Sequence, residues 1–294
     1  MSMGKKFGLS MRGRHILEGY SFISIWIIGF LLFMLYPLGV SLYYSFNNLE
    51  VTQHGLIATY AGFEHYRAAF ATDIDFRPFL QSTVTTMLTQ VPLILIFSMM
   101  SALLLNRQFR GRMLFRGIFF LPVIIASGAI LRELLEQGAA QLPIFYQSDL
   151  YTKLNAFIPD DILEPLLLYA ESLTMVMWDS GVQILIFIAG LQTISPSLYE
   201  AAKCDGATKW ESFWKITFPM IMPMLFVNTL YSIVNSFTKP DNKIMDYINN
   251  IAFKSNNYAY GSAMGWIYFV VISIILAIVF FIFRRSLSAS EGRR

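Results

Sequence analysis

The sequence predicts an all-α membrane protein with six spanning helices, and three observations predict it. Hydrophobic residues make up 55% of the 294 residues and charged residues only 14%, which excludes an ordinary soluble domain. Six largely apolar runs lie at roughly 20–46, 79–105, 116–136, 166–191, 216–237 and 262–283, each about long enough to cross a hydrocarbon core. Lysine and arginine are spread unevenly over the segments between them, as in oriented spans. The single cysteine allows neither an internal disulfide nor a cysteine-based metal site.

Residues 1–19 carry Lys5, Lys6, Arg12 and Arg14 and are expected to form a short disordered or interfacial tail. Tyr20 to Phe46 contains no charge. That run is too long for the core of a signal peptide, and no small-residue cleavage site follows it, so it reads as the first span. The second and sixth runs are also free of charge. The third holds Arg132, Glu133 and Glu136 near one end, and the fourth holds Glu171 and Asp179. Length and scarcity of charge, rather than periodicity, separate these runs from buried soluble helices. Of the connecting segments, 47–78 carries Tyr60, Phe63, Tyr66 and Phe70 at three- and four-residue spacing, as on one face of a short helix lying on the membrane. Segment 137–165 sets Asp149, Asp160, Asp161 and Glu164 against Lys153 alone.

With the N-terminus in the cytoplasm, fifteen of the 22 basic residues fall on the cytoplasmic side. They are the four of the tail, Arg107, Arg110, Arg112 and Arg116, then Lys203, Lys209 and Lys215, and finally Arg284, Arg285, Arg293 and Arg294. Six fall outside (Arg67, Arg77, Lys153, Lys239, Lys243 and Lys254), while Arg132 lies within a span. The positive-inside rule therefore puts both termini in the cytoplasm, including the C-terminal tail 286–294.

The stretch after the fourth run has a structure of its own. Ser195 and Pro196 form a helix start, with serine as N-cap and proline at the first helical position. Leu198, Tyr199, Ala201 and Ala202 give a short helix a compact, largely apolar face, and Gly206 is a natural stop. Trp210, Phe213 and Trp214 share one side of a second helix, and Pro219 and Pro223 are expected to break or kink the entry to the fifth span. An ordinary loop anchored by interfacial aromatics would account for part of this pattern.

The residues themselves resemble the coupling motif in the membrane subunits of binding-protein-dependent ABC importers. The pattern E-A-A, three residues, G, then I-x-x-P is met by Glu200, Ala201, Ala202, Gly206, Ile216 and Pro219. Asp205 and Ala207 stand as in the sugar-importing branch. Tyr36-Pro37-Leu38, Leu103 to Arg107 with Gly111, Phe119 to Pro122, Ala189 to Gln192 and Tyr260 to Ala263 also resemble family segments, so the likeness covers about 20–285. It resembles most the maltose- and glycerol-phosphate-type permease that carries a long first span. Departures are Cys204 where an aliphatic residue is common, His65 and Ser82 where asparagine is usual, and Arg132 in place of a tryptophan. Segment 137–165 has no counterpart in the family pattern.

The resemblance implies a type I ABC importer permease fold: one six-helix domain over 20–285, with a cytoplasmic coupling-helix region at 195–218. Glu200, Ala201, Ala202, Asp205, Gly206 and Ala207 would meet a separate ATPase. It also implies a second homologous permease, two ATPase subunits, an external solute-binding protein docking on the outer segments, a carbohydrate substrate, and a bacterial cell membrane. This chain would bind no cofactor, with ATP and Mg held by the partner ATPase, and it would not bind nucleic acid.

Catalytic chemistry is not suggested. His15, His54 and His65 are scattered, and neither a nucleophile–base pairing nor a phosphate-binding glycine loop occurs in the sequence. Polar residues within the spans are the remaining signal, because an acidic group at mid-bilayer normally faces a cavity or a partner helix. Asp179 falls near the middle of the fourth run, beside Trp178 and with Tyr169 and Gln183 in the same run. Asn228, Tyr231, Ser232 and Asn235 form one stripe in the fifth. Such residues serve either as interhelical glue or as a path for a polyhydroxylated ligand such as an oligosaccharide. A non-sugar permease of the same superfamily is the alternative. A secondary transporter would have no reason for the coupling stretch, and a membrane-embedded enzyme would lack its constellation of reactive groups.

Overall fold

The computed structural model describes residues 11–52, 55–107, 110–111, 113–114, 117–118, 176–239 and 242–291. Nearly all of the third expected span (116–136), the first part of the fourth, Tyr169 and the acidic segment 137–165 lie outside the described residues. The described chain is helical apart from one two-stranded hairpin. Four helices within it are long and apolar enough to cross a membrane: Gly19–Ser45, Phe76–Leu105, Lys209–Thr238 and Tyr258–Arg284. The chain divides into two compact units, one of residues 1–74 and 248–268, the other of 75–247 and 269–294.

In the first unit the leading helix runs as α1 (Met11–Phe30), a π-helical turn π1 (Leu31–Leu35) and α2 (Tyr36–Ser45). Helix therefore begins within the stretch 1–19 expected to be a short disordered or interfacial tail. Strands β1 (Asn47–Thr52) and β2 (Gly55–Tyr60) follow, paired antiparallel from Asn47 opposite Tyr60 to Thr52 opposite Gly55. The expectation of one helical face carrying Tyr60, Phe63, Tyr66 and Phe70 is corrected here. Only Tyr66 and Phe70 lie on a helix, α3 (Glu64–Ala71), whereas Tyr60 ends β2 and Phe63 caps α3.

The physical reason lies in the residues around the turn. Val51, Thr52, Ile57 and Thr59 are β-branched and favour a pleated conformation. Gly62 takes a left-handed φ of 61°, which ends the extended run before α3 can begin. The Phe46 carbonyl accepts the N–H groups of Ala61 (2.9 Å) and Gly62 (3.0 Å), tying the hairpin's exit to its entry. Phe46, Phe63 and Tyr66 then cluster with ring centroids 5.3–5.8 Å apart, and the Tyr66 hydroxyl bonds Ser45 at 2.7 Å. His65 Nε2 lies 3.3 Å from the Asn47 carbonyl, and Tyr260 donates to Asp73 at 2.7 Å.

The second unit is built on α4 (Phe76–Leu105), α5 (Gly181–Gln192) and α8 (Phe218–Thr238). Between α5 and α8 come α6 (Pro196–Cys204), α7 (Lys209–Ser212) and a second π-helical turn, π2 (Phe213–Thr217). Ala102 and Leu105 of α4, Ile184, Phe187, Ile188 and Leu191 of α5, and Ile221 of α8 form its core together with Ile194. Buried serines on α4 do not disrupt this packing. Ser98 returns its hydroxyl to the Ile94 carbonyl at 2.6 Å, satisfying itself within the helix.

Gly190 lets α5 and α8 approach closely, since a Cβ there would stand 2.5 Å from Met224 Cγ. Beyond α8, the buried Asn242 turns the chain into α9 (Lys243–Asn249). Its Nδ2 donates to the Phe237 carbonyl (3.1 Å), and its Oδ1 accepts Ile244 N–H (3.2 Å) and the Thr83 hydroxyl (3.3 Å). A third π-helical turn, π3 (Asn250–Lys254), and the long α10 (Tyr258–Glu291) complete the described chain.

Pro219 and Pro223 do not end α8: the first lies in its opening turn and the second inside it. Proline at 219 has no N–H to give to the carbonyl four residues back. The widened turn of π2 directly precedes it, with Phe218 N–H reaching back five residues to the Phe213 carbonyl. π1 stands in the same relation to Pro37, again with the proline two residues past the π-helical turn.

Candidate functional site

The stretch 195–218 forms a bent-off helix with defined ends. α5 and α6 meet at 64°, across a break where Thr193 returns both its N–H (3.1 Å) and its hydroxyl (2.8 Å) to the Gly190 carbonyl. Ser195 occupies the N-cap position of α6 in an extended conformation. Its hydroxyl bonds Ser197 Oγ at 2.8 Å instead of a helix N–H. At the other end Gly206 has φ 77°. Its N–H bonds the Lys203 carbonyl at 3.1 Å, and Ala207 N–H bonds the Ala202 carbonyl at 2.9 Å. These two bonds make a Schellman cap, in which the left-handed residue is normally glycine.

Glu200, Ala201, Asp205 and Gly206 are exposed, while Ala202 and Ala207 are half-buried. The last two line an open cavity of about 340 Å³, together with Gly206, Glu211, Lys215 and Ile216. A feature the sequence reading missed organises its far side. Thr208 accepts Glu211 N–H (3.2 Å) while Glu211 Oε2 accepts Thr208 N–H (2.9 Å), a full capping box on α7. The T-x-x-E spacing from Thr208 to Glu211 was the available signal. Trp210, Phe213 and Trp214 do cluster, with centroids 5.0–6.4 Å apart, although the α-helix carrying Trp210 becomes π-helical at Phe213.

The intramembrane polar residues separate into two groups. Gln183 and Asn228 are both fully buried between α5 and α8. Asn228 Nδ2 donates to the Gln183 backbone carbonyl (3.2 Å), and Gln183 Nε2 donates to Ser232 Oγ (2.9 Å). Gln183 Oε1 and Asn228 Oδ1 have no hydrogen-bond donor among the described residues. Trp178 and Tyr231, by contrast, are 36% and 37% exposed, and Asn235 is half-buried.

Asp179, near the middle of the fourth apolar run, has a charged partner on another element. It sits in the helical turn 176–179 before Ser180 and forms an ion pair with Lys239, the residue that caps α8. Both side chains are largely buried, at 15% and 21% exposure. Lys239 was missed because it lies 60 residues away, just beyond the fifth apolar run.

Several apolar spans packed around a shared core, with a short capped helix turned out between two of them, define a multi-pass membrane transport component. The chain belongs to the family described as "Binding-protein-dependent transport system inner membrane component", whose pattern it matches over residues 80–290. It is 30% identical over 295 aligned positions to a probable ABC transporter permease protein, YesP, of Bacillus subtilis, covering 90% of this chain and 89% of that one. It is 25% identical to the multiple sugar-binding transport system permease protein MsmF of Streptococcus mutans, over 87% and 92% of the two chains. A crystal structure of a bacterial ABC transporter that imports the acidic polysaccharide alginate has a chain of the same fold. It aligns with a TM-score of 0.61 at 21% identity, over 92% of this chain and 96% of that one. The chain is thus a permease subunit and not an enzyme, and ATP hydrolysis belongs to a separate subunit.

Proposed function

We propose that this permease imports a carbohydrate, with an oligosaccharide as the expected size, and that α6 is its coupling helix. The observation that carries the reading is the Schellman-capped α6. It is turned 64° out of α5, with Glu200, Ala201, Asp205 and Gly206 exposed for a partner to grip. Sugar-named relatives such as MsmF support the substrate class. In this reading both termini and α6 are cytoplasmic. A second permease, two ATPase subunits holding ATP and Mg, and an external binding protein complete the importer.

Trp178, Tyr231 and Asn235 offer partly exposed aromatic and amide groups suited to stacking on sugar faces and bonding hydroxyls. Gln183 and Asn228 form the buried strut behind them and hold α5 to α8. The Asp179–Lys239 pair carries no net charge, so this part of the path is compatible with neutral sugars.

The test is ATPase stimulation in the complex reconstituted with its binding protein, across a panel of mono- and oligosaccharides, amino acids and peptides. Stimulation and uptake with one class of sugar are expected. Stimulation only by amino acids or peptides would overturn the carbohydrate assignment.

A further inference from the structure

Beyond its exposed motif, α6 has an inner face that the family pattern leaves without a role. Tyr199, half-buried, packs against the core made by α4, α5 and α8, and its hydroxyl lies 2.8 Å from Thr217 Oγ1. Thr217 is only 5% exposed and is the last residue of π2. Its hydroxyl also faces the Ser212 carbonyl at 3.5 Å, five residues back. If Thr217 donates there, Tyr199 must donate to Thr217, giving a directed chain from α6 through π2 to α7. Separately, the Ser212 hydroxyl donates to the Thr208 carbonyl at 3.0 Å.

The position of this contact is informative. Tyr199 immediately precedes Glu200, so it moves with the part of α6 that a partner would push. Thr217 lies at the junction of the π-helical turn with α8, where the backbone ladder changes from five-residue to four-residue steps. A widened turn followed by Pro219 is a yielding point of that helix, because a ladder bond is absent there. We propose that Tyr199 is a positioning residue for coupling: its hydroxyl on Thr217 delivers displacement of α6 into α8 at π2. The proposal rests on α6 being the coupling helix.

The experiment uses the full importer in proteoliposomes, measuring substrate taken up per ATP hydrolysed and co-purification of the ATPase. Tyr199→Phe keeps the ring in the core and removes only the hydroxyl, and Thr217→Val keeps the shape of threonine. Each is expected to retain the ATPase and its hydrolysis while lowering uptake per ATP by roughly 2- to 10-fold, the scale of one hydrogen bond. The double variant is expected to lose no more than either single one, and Thr217→Ser to restore the wild-type ratio. Unchanged uptake per ATP in both single variants would overturn the proposal and leave the coupling-helix reading standing. So would loss of ATPase association, because the contact would then serve docking. Failure of Gly206→Val and Ala202→Asp to affect either readout would instead sink the coupling-helix reading, and this proposal with it.

Discussion

Asp179 and Lys239 form an ion pair that joins the turn before α5 to the C-terminal end of α8. A largely buried pair is costly to break on one side, because the remaining charge is left uncompensated. Asp179→Asn or Lys239→Gln alone should destabilise the protein by about 1–3 kcal/mol, less than a fully dry pair because both groups keep some exposure. The double variant should recover much of the loss. Thermal unfolding of the purified permease pair in detergent checks this, and a double-variant loss equal to the sum of the two single losses would show that the pair is not coupled.

Gly190 and Met224 give a second test. A Cβ at 190 would meet Met224 Cγ at 2.5 Å, within the core rather than at a free side-chain end. Gly190→Ala should therefore force α5 and α8 apart and cost about 1–3 kcal/mol. Met224→Ala in the same chain should relieve part of that strain. Melting temperatures of the wild type and the two variants decide it, and an undiminished Gly190→Ala protein would mean that Met224 turns aside freely.

Gly206 makes a third. At φ 77° a β-branched side chain is strained by roughly 1–2 kcal/mol, whereas asparagine tolerates the left-handed region. Nothing lies within 4 Å of a Cβ there, so the effect is one of backbone conformation rather than crowding. Gly206→Val should weaken ATPase co-purification or uncouple hydrolysis from uptake, and Gly206→Asn should do so much less. Equal behaviour of the two variants would remove the backbone explanation.

Orientation can be read with the native chain. Cys204 is the single cysteine and is exposed at the end of α6. A membrane-impermeant maleimide should leave it untouched in intact cells and label it in inside-out vesicles, with protection when the ATPase is bound. In a Cys204→Ser background, cysteine at Asp246 should react from outside and cysteine at Arg110 should not. Both positions are exposed, so a failure to react reports sidedness rather than burial.

What was legible followed from local chemistry. Gly206 could be read as a helix end because one residue type dominates that conformation, and the charge-free run after Tyr20 could be read as a span from length alone. The T-x-x-E capping box at Thr208 was equally local, though it lay unread beside the louder coupling motif. The β-hairpin was hidden because the aromatics from Tyr60 to Phe70 mimic helical spacing, while Gly62 breaks the run between them. The Asp179–Lys239 and Tyr199–Thr217 contacts were not legible at all. Each joins residues from different helices, and no periodicity within one helix encodes its partner across a packed interface.

The π-helical turn before Pro219 has a consequence for the angular phase of the chain. An α-helix advances about 100° per residue, so one extra residue accommodated in a turn rotates everything beyond it by about that angle. Trp210 on one side of Phe213–Thr217 and Asn228 and Ser232 on the other are set in azimuth by that single inserted step. Deleting one residue from 213–217 would let the helix run as plain α with the Asn228 face still toward Gln183, because the lost residue and the lost widening offset each other. Returning a residue elsewhere in α8, before Asn228, would restore the length and misalign the faces. The turn acts as a phase shifter, fixing how a helix that begins beside α6 comes to present its amides to α5.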